Sequence, residues 1–177
     1  GREVVLTWLA IVVAGSAGLI SVAVAPVILL RVGAETDAES RYALDEESYL
    51  SLDEYALLER LPELVPSDAV VIANPSTGAG FAYSLARTEV IPRTWSPPQS
   101  EAWNTLAAGL RDVAEDPAVC EALAAFGSPE YVLDFGIGGE RPGEYLMPGM
   151  TDLDGREGFE EVASEGEASL WRIDACR

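Results

Sequence analysis

The chain has 177 residues, 49% of them apolar, with 11 basic against 30 acidic side chains and a net charge of −19. Every basic residue is arginine, and lysine and histidine are absent, which excludes imidazole zinc sites, histidine proton shuttles and Ser-His-Asp or Cys-His nucleophile pairs. The acidic balance also leaves no positive surface for a phosphate backbone, so no nucleic-acid partner is expected.

The first predicted element is a membrane span. Val4 to Leu30 is a run of 27 uncharged residues between Arg2-Glu3 and Arg31. At 1.5 Å per residue, Val4 to Ala25 alone covers roughly 33 Å against a hydrocarbon core of about 30 Å. Residues 1–31 are therefore expected to form one transmembrane helix, kinked or ended near Pro26. Ala14, Gly15, Ala17 and Gly18 are spaced as in helices that pack closely in membranes, and equally as ordinary small-residue filler. Ala23-Val24-Ala25 fits a signal-peptide cleavage pattern, but the run is longer than a signal core and proline would follow the cut. Residues 32–50, acidic and poor in large apolar side chains, read as a solvated tether.

Residues 51–177 then read as an α/β domain. Ser51 and Glu54 form a capping box, Leu50 is placed to staple onto Tyr55, and Pro62 is expected to stop the helix. Ala69 to Ala73 reads as a strand buried on both faces, ended by Asn74-Pro75. A turn to Gly78 opens a short helix through Phe81, Tyr83 and Leu85, and Thr88 to Ile91 is a second strand. Ser100 opens a helix to about Glu115. Asp116-Pro117 starts another, ended at Gly127. Glu130 to Phe135 is the third strand, Gly136 to Gly158 a long irregular loop, and Phe159 to Ala163 with Ser169 to Ile173 a hairpin around Glu165-Gly166-Glu167. The order implies a small parallel or mixed sheet with flanking helices and a C-terminal β-hairpin at one edge.

The segment Asn74 to Tyr83 follows a strand and opens a helix, where backbone N–H groups can hold an anion. It lacks the lysine of a P-loop, and Tyr83 stands where a dinucleotide fingerprint has glycine. It is a structural turn or a contact for a sugar, phosphate or partner. Asp134, near the end of a strand, is placed either to face a ligand or to cap the Gly136–Gly139 turn. Asp152 to Gly155 fails the calcium-loop pattern, and Glu157, Glu160, Glu161, Glu165 and Glu167 read as a solvated face. No catalytic residue, metal site or cofactor is expected. Cys120 and Cys176 suit an oxidising compartment. They are either two buried thiols or a bridge closing a loop of about 57 residues, worth roughly 4 kcal/mol.

The runs Ser51 to Pro62, Ala69 to Pro75, Thr77 to Gly80, Asp116 to Cys120, Tyr131 to Gly136 and Leu170 to Cys176 resemble the C-terminal region of an actinobacterial family of polytopic membrane proteins with a domain of unknown function. Its layout is similar to that of integral-membrane glycosyltransferases using polyprenyl-phosphate sugars. The resemblance implies that Cys120 and Cys176 match paired cysteines, and that Asn74, Thr77, Gly78 and Asp134 match loop positions able to contact a ligand weakly. Beginning at Gly1, the chain is expected to be the tail of a longer protein whose catalytic carboxylate lies in an earlier loop. The expected role is thus non-catalytic. Residues 32–177 would lie outside the cell membrane, shaping or covering an acceptor or glycan site. The partners would be the lipid bilayer, the parent's other transmembrane helices and a glycan or polyprenyl-linked sugar. The alternative is a single-pass anchored binding module of the cell surface.

Overall fold

The computed structural model of the chain describes residues 49–94, 96–139 and 145–176. The chain divides into two units, 1–43 and 44–177, and all described residues lie in the second. The expected transmembrane helix and the tether up to residue 48 lie outside the described residues. Among those described, no helix is long and apolar enough to cross a membrane. The tether's last two residues, Tyr49 and Leu50, are already part of the fold, and Leu50 is buried in its core.

The first helix, α1 (Leu52–Leu64), starts as its sequence dictates. The Glu54 N–H donates to the Ser51 hydroxyl, and Glu54 turns back to accept from the Ser51 N–H at 2.7 Å. Pro62 does not stop it. The helix runs one residue pair further because Leu61 and Val65 are both buried, and the Val65 N–H closes on Leu61 O. Packing here outweighs the one hydrogen bond that proline removes, which an exposed ring position tolerates.

Strand β1 (Val70–Ala73) leads through a 3₁₀ turn (Gly78–Phe81) and the short α2 (Ala82–Ala86) into β2 (Glu89–Ile91). Two helices follow, α3 (Glu101–Gly109) and α4 (Pro117–Ala124), then β3 (Tyr131–Asp134) and the hairpin of β4 (Phe159–Glu165) and β5 (Ala168–Ile173). Helix α3 is shorter than expected. It breaks at Gly109 into a 3₁₀ turn over Leu110–Asp112, where the turn Pro148–Met150 presses Gly149 against the backbone of Leu106 to Gly109. A Cβ on Gly149 would collide with that backbone. The hairpin, conversely, is tighter than expected. Glu165 pairs with Ala168, leaving a two-residue loop in which Gly166 takes φ +56°, a conformation glycine adopts freely.

The sheet order is β2-β1-β3-β5-β4, with β1 parallel to β2 and β3, and β5 antiparallel to β3 and β4. It is thus mixed, with the hairpin at one edge. Alternation along the strands divides the core in two. Val71, Ala73, Leu133 and Leu170 pack against α1 and α2; Ile72, Val132, Trp171 and Ile173 pack against α3 and α4. Cys120 on α4 is joined to Cys176 beyond β5 by a disulfide, with Cα atoms 5.4 Å apart. The bond ties the chain's last strand to the helical layer.

Candidate functional site

The connection leaving β1 passes to one side of it through α2, while the connection into β3 passes to the other side over the opposite face. That arrangement makes the carboxyl ends of β1 and β3 the switch point of the parallel strands, where open α/β sheets hold ligands. Asn74 and Asp134 stand immediately at those ends, with Ser76, Thr77 and Gly78 in the turn beside them.

The structure brings Asn74, Thr77 and Gly78 together and directs their polar atoms inward. Asn74, only 2% exposed, donates its amide to Ile137 O at 3.0 Å and Tyr145 O at 3.4 Å, and its Oδ1 accepts from the Ser76 N–H at 2.9 Å. The Thr77 hydroxyl donates to Asn74 O at 2.9 Å and caps the 3₁₀ turn by accepting from the Ala79 N–H. The Gly78 N–H donates to Glu54 Oε1 at 3.2 Å. A Cβ on Gly78 would lie 2.6 Å from Leu50 Cδ1 and 2.7 Å from Glu54 Oε2, so this turn requires glycine for its approach to α1.

Asp134 holds the other strand end. Its Oδ1 accepts from the Gly136 N–H at 3.0 Å, and the Thr151 side chain and the Asp152 backbone lie beside its carboxylate. Burial pushes its pKa above the ordinary value, these three contacts hold it back, and the neighbouring Asp152 charge adds to the rise. Glu54 is likewise raised, chiefly by burial, against the opposing donors Ser51 and Gly78.

Three groups at this end carry no sequence signal. Ser76 accepts the Tyr145 N–H at 2.7 Å; Thr151 reaches Asp134 from 17 positions downstream; and the Tyr49 hydroxyl donates to Pro75 O while its ring meets Phe81 edge-on. Ser76 and Thr151 meet their partners only through the long connection after β3, whereas Tyr49 reaches its own from just before α1. The capping box announced that Glu54 turns back at the helix start, but nothing in its spacing pointed to Gly78. The described parts of the connection from Gly136 to Met147 thus bond across the β1 end, through Asn74 and Ser76. Among the described residues, the exposed large hydrophobic side chains are Leu52, Phe81, Tyr83, Leu85, Ile137 and Leu146. Leu52 opens α1 beside the Gly78 turn, Phe81 meets Tyr49, and Ile137 and Leu146 belong to the connection bonded to Asn74. Arg93, just beyond β2, lies 5.2 Å over the Tyr83 ring. On the hairpin side the rim turns acidic at Glu165 and Glu167. Among the described residues no group of carboxylates and cysteines is arranged to hold a metal ion.

Residues 2–175 match a family of unknown function (DUF6541), and the chain belongs to that family. The match runs through the apolar N-terminal stretch as well as the α/β domain. No curated protein and no solved structure matches the chain.

Proposed function

We propose that this chain is the extracytoplasmic C-terminal domain, with its membrane anchor, of an actinobacterial multi-pass membrane protein laid out like the polyprenyl-phosphate-sugar glycosyltransferases. In that reading the domain is non-catalytic and covers or shapes the acceptor side of a glycan site built by the parent's other helices. The observation that carries it is the rim at the carboxyl end of β1 to β3. The switch-point turn is bonded to the chain's own connection, and the exposed Leu52, Phe81, Ile137 and Leu146 lie at this end, where Tyr49 and Leu50 enter the fold. Aromatic and aliphatic side chains at such a rim suit a membrane interface or the headgroup region of a lipid-linked sugar. The Asn74, Thr77 and Asp134 cluster would act by holding this rim in shape, with contact to glycan left to the surface above it.

The Cys120–Cys176 disulfide favours the oxidising side of the membrane for residues 32–177. The test is a Ser40→Cys variant in cells treated with a membrane-impermeant thiol reagent. Labelling of intact cells is expected, and labelling only after lysis would overturn the placement. A single-pass anchored binding module is the second reading, favoured by a concavity beyond the end of α3 that Arg111 and Arg156 line together with Glu115 and Glu157.

A further inference from the structure

A second concavity lies away from the switch point, between the 3₁₀ turn Leu110–Asp112 and the loop at Gly155 to Glu157. This open concavity has a volume of about 200 Å³, less than a drug-sized ligand needs. Two arginines line it, and they differ. Arg156 is held: its Nε donates to Asp152 O at 2.9 Å and its Nη1 to Asp112 Oδ1 at 3.3 Å. Arg111 is not held. Its Nε is buried and has no hydrogen-bond partner, and no carboxylate among the described residues pairs with it. In a chain of net charge −19, Arg60, Arg93, Arg156 and Arg172 each find an acid. Arg87 also has no ion pair among the described residues, but it is exposed to water, whereas Arg111 is partly buried on the wall of a cleft.

The signs of the remaining charges define the ligand. Asp112 neutralises Arg156, which leaves the positive Arg111 facing the negative Glu115 and Glu157 on the same lining. A phosphate dianion would satisfy Arg111 but add two charges to a lining already negative by one. A simple carboxylate would satisfy Arg111 but make the lining more negative by one. A small zwitterion uses both signs and leaves the total unchanged, its carboxylate accepting from the guanidinium fork and its ammonium donating to the glutamates. We infer that this cleft binds a small zwitterion of the α-amino-acid type, with Arg111 taking the carboxylate and Glu115 and Glu157 the ammonium group. The inference goes beyond the proposed covering role and does not depend on it.

The experiment titrates the full chain with alanine, acetate, methylammonium and inorganic phosphate, followed by calorimetry and by the arginine Nε–H resonances. Alanine is expected to bind saturably at about 1 mM, a level ordinary for so small a ligand, and acetate, methylammonium and phosphate at least ten-fold more weakly. Arg111→Gln should weaken alanine at least ten-fold and Arg111→Lys by less. The double variant Glu115→Gln, Glu157→Gln should bring acetate level with alanine. If Arg111→Gln fails to fold, the wild-type spectrum decides, because alanine should move the Arg111 Nε–H signal and leave that of Arg60 in place. The inference is overturned if alanine shows no saturable binding up to about 50 mM, if phosphate binds more tightly than alanine, or if Arg111→Gln binds alanine as well as wild type.

Discussion

Asn74 is the residue on which the switch-point end depends most heavily, because one side chain satisfies Ile137 O, Tyr145 O and the Ser76 N–H at once. Truncation strands buried groups on both segments, and an unsatisfied buried polar group costs more than the bond it lost was worth. Asn74→Ala is expected to lower unfolding stability by about 2–4 kcal/mol in urea titration. A loss below about 1 kcal/mol would mean that the connection after β3 is not fastened there. Asp134 gives a prediction of different sign from ordinary acid denaturation. Its folded pKa is raised above 3.8, mainly by burial, so on acidification the folded state takes up this proton before the unfolded state does. Stability contributed by Asp134 therefore rises as pH falls through the raised value toward 3.8, and falls again as pH climbs back. Measured against Asp134→Asn, wild type should gain stability between neutral pH and about pH 4. A gain by the variant over the same range would contradict the burial account.

At the scale of elements, the helix starts were the most legible part of the sequence. Ser51, Ser100 and Asp116 each cap a helix through a local bond, and such bonds are written within three residues of one another. The ends were less legible, for reasons that are not local. Pro62 should break a helix by its own chemistry, yet Leu61 and Val65 are buried deeply enough to carry the turn past it. Gly109, the last residue of α3, leaves helical geometry at φ −140°, and its backbone is packed so closely by Gly149, forty residues away, that no Cβ fits on Gly149. The candidate site divides in the same way. Asn74, Thr77 and Gly78 were found from a strand–turn–helix pattern, whereas Ser76, Thr151 and the inward direction of every donor depended on where the connection after β3 crosses. The cysteines left two alternatives open in the sequence, and the position of α4 beside the end of β5 decided for the bridge. With a sequence separation of 56, its reduction should cost roughly 4 kcal/mol. Thermal melting with and without reductant checks this, and an unchanged midpoint would show that the terminus is fastened by packing alone.

For the molecule as a whole, charge and apolar surface are unevenly placed. The exposed pairs Arg60–Glu165 and Arg172–Glu160 lie along the hairpin and contribute little to stability because solvent screens them. Of the exposed apolar residues among those described, Leu52, Phe81, Ile137 and Leu146 lie at the carboxyl end of β1 and β3. Leu146 is 63% and Leu52 61% exposed; singly such residues are ordinary, and the proposed reading rests on their sharing one end of the sheet. The proposed reading predicts that this rim lies at a membrane interface. It is tested most directly by fluorophores placed on Leu146→Cys and Asp68→Cys, at the carboxyl end and at the opposite end of the sheet, in the full chain reconstituted in vesicles carrying nitroxide-labelled lipid. Strong quenching at position 146 with none at position 68 is the predicted result; equal quenching at the two positions, or none at 146, would contradict it.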